Sequence, residues 1–449
     1  MKMTYDVLGA EPTTGYGGPV PPSRMIEMGE QGFVPKAPTE LSEAGVDQEV
    51  LLDLTLKLAY TVPRLTTQWA AEKLCLPLQL MAELFEQLRA DQLVDMLGHS
   101  GPFKSRFTIT GRGSERARRL FEICGYVGPA PVSLESYTTN LDWQFQHLPD
   151  PTQQQVEDAI SDLVLPDHVR QVSGLAMQSR RSLFLFGPPG NGKTALGHLL
   201  HDAAGGDYWI PHCIGIGQNI IRVFDMECHE PIDEMGKPRE RGVQIDRRWV
   251  RIRRPFVVVG GELTVEALDL VFSPNLGYYE APLHFKANGG TFLLDDFGCQ
   301  RIPPETILNR WIHPLERGID FLTLQTGQQL EVPFRQMLIV STNLDVNKVM
   351  TPAFLRRMGY RVHMADPAPP RYKEIFRNYA GGCDVQVPPA VLDGLVDRYQ
   401  REDRPMHCCE PRDLVERARD ICRYRGQDLQ LDSDTLELAW QGYFGNDRE

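Results

Sequence analysis

The chain has 449 residues, 42% hydrophobic and 24% charged, a globular balance with room for about two to four domains. Its formal net charge of -13 argues against binding polyanions over the whole surface, leaving only a local basic stripe for such work. No run approaches the roughly 18 apolar residues of a membrane helix, and the N-terminus lacks the apolar segment of a secretory leader. The nine cysteines include no C-x-x-C pair, which excludes a zinc site or disulfide framework of the usual spacing and points to a cytoplasmic chain with reduced thiols.

Residues 1–40 are rich in Gly, Pro, Thr and Glu without periodicity, and are expected to form a disordered arm. Helical spacing of apolar residues begins at 50–59, followed by a short helix at 66–74 with Thr66 and Thr67 as cap candidates, and a third from Pro77 to about 88. Two strand-like runs at 92–97 and 106–110 flank a Gly-containing loop, and a helix follows at 114–124. This order resembles a winged-helix domain, so 41–126 is expected to be a winged-helix-like α+β unit. Residues 127–150, opening on Val127-Gly128-Pro129-Ala130-Pro131, are expected to be a linker. From 151 to 369 apolar strands (182–186, 256–259, 291–294, 337–340) alternate with helical stretches, the pattern of an α/β core with a parallel sheet sandwiched by helices. From 370 to 449 the pattern is helical throughout.

Gly187-Pro188-Pro189-Gly190-Asn191-Gly192-Lys193-Thr194 fits the phosphate-loop pattern G-x-x-x-x-G-K-[ST], after a strand and at the opening of a helix that continues through Ala195. The glycines let backbone N–H groups turn inward onto phosphate oxygens. Lys193 supplies a charge near the β- and γ-phosphates, Thr194 a hydroxyl for Mg²⁺, and the helix its positive end. Thr291-Phe292-Leu293-Leu294-Asp295-Asp296 ends a later strand on two acids. Asp295 suits a Mg²⁺ held largely through water, and Asp296 suits the orienting of an attacking water. ATP and Mg²⁺ are therefore the expected ligands.

The run from Lys286 to Phe297 resembles the same segment in AAA+ ATPases of the bacterial enhancer-binding and MoxR types. The resemblance implies further roles. Asn343, in Ser341-Thr342-Asn343, would be sensor 1; Arg356 or Arg357, after Pro352-Ala353-Phe354-Leu355, would be the finger that completes a neighbour's site. Arg412, in Glu410-Pro411-Arg412-Asp413, would be sensor 2 on a helical lid, and the apolar pairs around 321–333 a hairpin before sensor 1. Val164 and Leu165 sit where the family often packs the adenine. It also implies a homo-oligomeric ring, with a hexamer favoured, that hydrolyses MgATP between subunits to remodel or assemble an unidentified protein client. One departure is the second acid: the family usually carries Glu where this chain has Asp296, a methylene shorter, so turnover is expected to be slow if the carboxylate falls short of the water.

The remaining signals divide two ways. Residues 246–254 interleave Arg with Trp249, Val250 and Ile252, which suits either contact with nucleic acid or a solvated strand paired with the acids of 227–240; the second is favoured. Tyr278 and Tyr279 suit either a central pore or ordinary packing. The third helix of the N-terminal unit carries Glu83 and Glu86, whereas Lys104, Arg106, Arg112, Arg116, Arg118 and Arg119 make the wing basic. Protein docking is thus favoured over DNA binding. An ATP-gated nucleic-acid-binding switch with little turnover stands as the alternative.

Overall fold

The computed structural model describes residues 25–27, 33–99, 105–232, 244–346 and 351–445. Strands β1 (Met25–Glu27) and β2 (Phe33–Pro35) pair antiparallel. An all-local unit follows: α1 (Gln48–Thr61), β3 (Leu65–Thr66), α2 (Thr67–Leu74), α3 (Leu78–Ala90), β4 (Val94–His99), β5 (Ser105–Ile109) and α4 (Gly111–Ile123). Thr66 accepts from the Trp69 amide and Thr110 from the Gly113 amide, so each threonine satisfies a free N–H where its helix begins. The two-residue β3 extends the sheet to three strands in the order β3-β5-β4. Lys104 of the basic wing lies outside the described residues, as do Asp233, Glu234 and Glu240 of the acidic stretch.

Two expectations need correction here. The arm is placed from Phe33 onward: Val34 is fully buried among residues of a distant sheet, and Lys36 bridges to Ile245. Its order comes from tertiary contact, which local pattern does not register; residues 1–24 and 28–32 lie outside the described set. The expected linker is structured as well. Val132–Ser133 forms β6, and Leu134–His147 forms α5, whose Ser133 cap accepts from the Ser136 amide. Tyr137 and Leu141 of α5 are buried, and the Gln144 side chain both donates to and accepts from the Trp209 backbone. The Pro/Gly run ends at 131; it terminates one unit and opens the next.

Helices α6 (Gln153–Ala159) and α7 (Asp167–Gln178) lead into β7 (Leu183–Phe186) and α8 (Lys193–Ala204). The chain then leaves the core through β8 (Asp207–Pro211), β9 (Cys213–Ile216) and β10 (Asn219–Arg222), and returns by β11 (Trp249–Arg253) to β12 (Phe256–Val259). After β13 (Val271–Ser273), β14 (Tyr278–Glu280) and the short α9 (Leu283–Lys286) come β15 (Thr291–Leu294) and α10 (Pro304–Arg317). A β16 (Ile319–Thr323)–β17 (Gln329–Pro333) hairpin precedes β18 (Met337–Thr342), α11 (Pro352–Leu355) and β19 (Tyr360–His363). The C-terminal bundle comprises α12 (Pro369–Gly382), α13 (Pro389–Arg401), α14 (Glu410–Tyr424) and α15 (Ser433–Phe444), around Tyr372, Phe376, Tyr399, Leu414 and Trp440.

The central sheet is parallel throughout, in the order β12-β15-β18-β7-β19. Strands β7, β12 and β15 are continuous apolar runs because helices cover both faces, whereas the edge strand β19 carries exposed Arg361 and His363. Leu183, Leu185, Leu293 and Ile339 face α6, α7 and α8, whereas Phe184, Phe292, Leu294 and Val340 face α10 and Phe354. The excursion between α8 and β15 builds a second sheet, β13-β14-β10-β9-β6, beside the two-stranded β8–β11 ribbon.

The arginine-rich run is consumed inside that excursion. Arg248 is 2% exposed and grips Asp246 while donating to the carbonyls of Ala44 and Pro131. Arg251 pairs with Asp207, Arg253 with Glu230, and Arg254 donates to Gly205 O and lies over the Tyr208 ring. Glu230 of the acidic stretch is thus one partner, whereas Asp207 and Asp246 lie outside it, and Arg247 is exposed. Tyr279 is buried in the second sheet's core and Tyr278 packs edge-on against Tyr126, so both tyrosines are packing residues.

Candidate functional site

The loop between β7 and α8 is built by glycines where other residues strain. Gly190 (φ 77°) and Gly192 (φ 83°) occupy left-handed backbone, and a Cβ on Gly187 would lie 2.4 Å from Met364 O. Lys193 is 5% exposed, and its Nζ donates to Gly187 O (2.9 Å) and Pro188 O (2.7 Å). Burial pulls its pKa below the usual lysine range, opposed by the charges of Asp296, Asp295 and Asp366.

Below the loop, Thr194 Oγ1 lies 3.0 and 2.8 Å from the two Asp295 carboxylate oxygens. These two residues supply oxygen donors on one side only. That donor set fits Mg²⁺, which keeps several waters and takes further oxygens from phosphate. Among the described residues no cluster of three or more His, Cys, Asp or Glu offers a closed metal cage. Asp296 is next in line, with its carboxylate accepting from Asn343 Nδ2 at 2.7 Å. It sits at φ 46°, the left-handed region that Asp and Asn tolerate better than other side chains, and this turns its carboxylate away from the strand direction.

Sequence reasoning missed the residue that holds this turn. Gln300 Nε2 lies within 3.3 Å of the carbonyls of Gly260, Asp295 and Asp296, while its Oε1 accepts from the Gly298 amide. Thr342 Oγ1 donates to Phe297 O, and the Phe297 amide to Ser341 O, so β18 and the acidic turn move together. A glutamine six residues past the strand carries no local pattern that would single it out.

A cleft of about 1140 Å³ opens between the core and the C-terminal bundle. It is lined by Gly190, Asn191, Gly192, Lys193, Thr194 and Ala195 of the loop and helix, by Asp296 and Asn343, and by Val164, Leu165 and Arg412. Leu165 is buried in the core, and Val164 O accepts from Arg371 Nε at 2.8 Å. Arg412 reaches the cleft wall, with its guanidinium 3.0 Å from Asp413 and its side chain 61% exposed. Two further arginines from α12, Arg371 and Arg377, line the same cleft and were not anticipated.

Other expected residues lie elsewhere. Asp295 is screened behind Thr194. Gly187 and Pro188 line a separate hollow of about 760 Å³ with Asn343, Asp345 and His363, and Pro189 is exposed. Arg356 is exposed at the end of α11, and Arg357 pairs with Glu316 at 2.5 Å; neither lines the cleft. In the N-terminal unit Arg116 pairs with Asp53 and Arg118 Nε donates to Tyr60 OH.

Comparison with known proteins adds the following. A family model described as a domain of unknown function (DUF8689) matches residues 368–442, the C-terminal bundle. No curated protein sequence matches the chain. Among solved structures, NtrX from Brucella abortus in complex with ADP is similar at 17% identity, TM-score 0.37, over 63% of this chain and 56% of that one. The Thermotoga maritima RuvB Holliday junction branch migration motor is similar at 14% identity, TM-score 0.35, over 62% of this chain and 69% of that one. The chain thus spans a little over half the length of the NtrX it resembles.

Proposed function

We propose, for a core whose strand order and motif placement are those of the AAA+ P-loop fold, that this chain binds MgATP in the cleft and hydrolyses it at subunit interfaces to remodel or assemble a protein partner. The observation that carries this reading is the pairing at the cleft floor: Thr194 on Asp295 and Asn343 on Asp296, both beside the phosphate loop. Thr194 and Asp295 would hold Mg²⁺, which supplies charge neutralisation on the phosphates when bound. Lys193 exchanges its loop carbonyls for phosphate oxygens. Asp296, fixed by the Asn343 amide and by the Gln300-braced turn, orients a water and accepts its proton.

The exposed position of Arg356 supports a role delivered to a neighbouring subunit rather than to its own cleft, whereas Arg357 is partly buried and paired with Glu316. The resemblance to AAA+ ATPases implies a homo-oligomeric ring of such chains, a hexamer by preference, as the setting for that role. The nucleic-acid switch loses part of its support, because Arg248, Arg251 and Arg253 already have partners within the chain. Fluorescent-ATP binding with and without Mg²⁺, followed by phosphate release across a range of protein concentrations, tests the proposal. Turnover per subunit that rises with concentration and vanishes in Lys193→Ala supports it. Binding with no turnover at any concentration rules out the motor and leaves a nucleotide-gated assembly.

A further inference from the structure

The phosphate-loop pattern accepts any residue at position 191, because phosphate binding uses only its backbone. Asn191 is nevertheless 3% exposed, and its side chain makes bonds of its own. Its Nδ2 donates to Asp366 Oδ1 (2.8 Å) and lies 3.3 Å from Met364 O, and its Oδ1 accepts from the Cys408 amide (3.0 Å). One amide therefore ties three segments together: the phosphate loop, the connector between β19 and α12, and the turn before α14. The next residue repeats the contact, since the Cys409 amide donates to Gly190 O at 2.9 Å.

The network continues inward. Asp366 Oδ1 also pairs with His407 Nδ1 at 2.9 Å, and the His407 amide donates to Glu410 Oε2 at 2.8 Å. The same Glu410 oxygen accepts from Tyr399 OH, which in turn accepts from Tyr372 OH in the centre of the bundle. Glu410, Tyr399 and Tyr372 are all buried.

We infer that Asn191 and Asp366 form a latch that docks the C-terminal bundle onto the phosphate loop, positioning residues that make the loop's conformation set the opening of the cleft. The nucleotide-dependent half of this inference rests on the proposed function; the docking half does not. A shift of the loop around a phosphate chain displaces Asn191, and the bundle is held by that side chain.

Cys408 and Cys409 flank the latch and report on it. Burial pushes the Cys408 thiol up to about 11 and the Cys409 thiol upward too, so undocking exposes both and makes them easier to ionise. The full chain and its Asp366→Ala variant are treated with iodoacetamide without nucleotide, and alkylation is mapped by mass spectrometry. The expected result is a rise on the order of tenfold at Cys408 and Cys409 in the variant, with Cys422 and Cys213 still protected in their cores. Asp366→Asn, which keeps an acceptor for Asn191, restores most of the protection. Cys408 and Cys409 also line the cleft, so MgADP shields them directly in both chains; the coupling is read instead from MgADP affinity, expected to change by about tenfold in Asp366→Ala and to be unchanged if loop and bundle are not linked. Unchanged rates at Cys408 and Cys409, with Cys422 protected, overturn the latch. If Cys422 opens as well, Asn191→Ala is read instead, because it cuts the contact from the loop side and leaves the bundle's own sequence intact; the same rise supports the latch and its absence overturns it. Absent ATP turnover in the natural chain counts against the proposed function alone.

Discussion

Asp296→Asn separates chemistry from structure at this site. Residue 296 sits at φ 46°, and Asn tolerates left-handed backbone as well as Asp does, so the turn keeps its shape. The Asn343 amide still finds an acceptor where it now lies 2.7 Å from the carboxylate, and Gln300 still braces the neighbouring carbonyls. What is lost is the negative charge and the site that takes the water's proton. General-base assistance of this kind is worth about 10²- to 10⁴-fold, or roughly 3–5 kcal/mol of barrier. Phosphate release at saturating MgATP is expected to fall by that factor, while nucleotide affinity and the thermal midpoint stay close to those of the natural chain. Asp296→Ala gives a similar rate loss and adds about 1 kcal/mol of instability, because alanine is strained where asparagine is not. If Asp296→Asn keeps its turnover within about threefold, the water is positioned by another group, and the assignment built on the left-handed turn is refuted.

Three further outcomes follow from the packing. Arg248→Ala leaves Asp246 buried without its cation, at a cost of about 3–5 kcal/mol, to be read as a lower midpoint in urea unfolding; an unchanged midpoint means that water or another donor reaches Asp246. If the finger acts across subunits, mixing Lys193→Ala chains with Arg356→Ala,Arg357→Ala chains recovers turnover that neither shows alone; strictly additive inactivity counts against shared sites. Burial pulls the His201 and His212 pKa values from 6.5 down to about 4. The unfolded chain therefore takes up protons first as pH falls. Stability is fully present above the unfolded value of 6.5 and is lost down to about 4, at up to about 1.4 kcal/mol per pH unit for each histidine. Urea unfolding between pH 7.5 and 5 checks this, and His201→Gln should flatten the slope by its share.

The site's floor was legible because its chemistry is local. A Gly-rich loop between strand and helix, and paired acids at a strand end, require nothing beyond their own spacing, and Gly190 to Thr194, Asp296 and Asn343 do meet at one cleft. The bundle's prolines likewise open their helices at Pro369 and Pro389, where a missing N–H costs little. What stayed hidden depends on partners far along the chain. Val34 orders its segment by burial in the second sheet, α5 takes its place through Tyr137 and Gln144, and Gln300 matters only because three carbonyls converge on it. The two acids at 295 and 296 take different roles from their order along the strand, whereas the left-handed backbone at the second and its contact with Asn343, as against Thr194 for the first, appear only in the structure.

The second sheet changes what the N-terminal unit can do. Read as an arm, a domain and a linker, that unit would hang loosely from the core. In the structure Cys213 of β9 and Ile220 of β10 are buried in the same apolar cluster as α1 and α3, and Arg248 bonds to Ala44 on one side and Pro131 on the other. The excursion itself grows from the nucleotide site. β8 follows directly from α8, the helix that begins with Lys193 and Thr194, and β11 leads into β12, which is hydrogen-bonded to the strand ending at Asp295. The phosphate loop and the sheet that carries the N-terminal unit are thus joined along the chain through α8 and the β8–β11 ribbon, although α8 packs in the core of the central sheet and the ribbon in that of the second. Packed elements with few internal voids move as bodies rather than deforming. The N-terminal unit and the second sheet, which share one apolar cluster, are therefore expected to behave as one body.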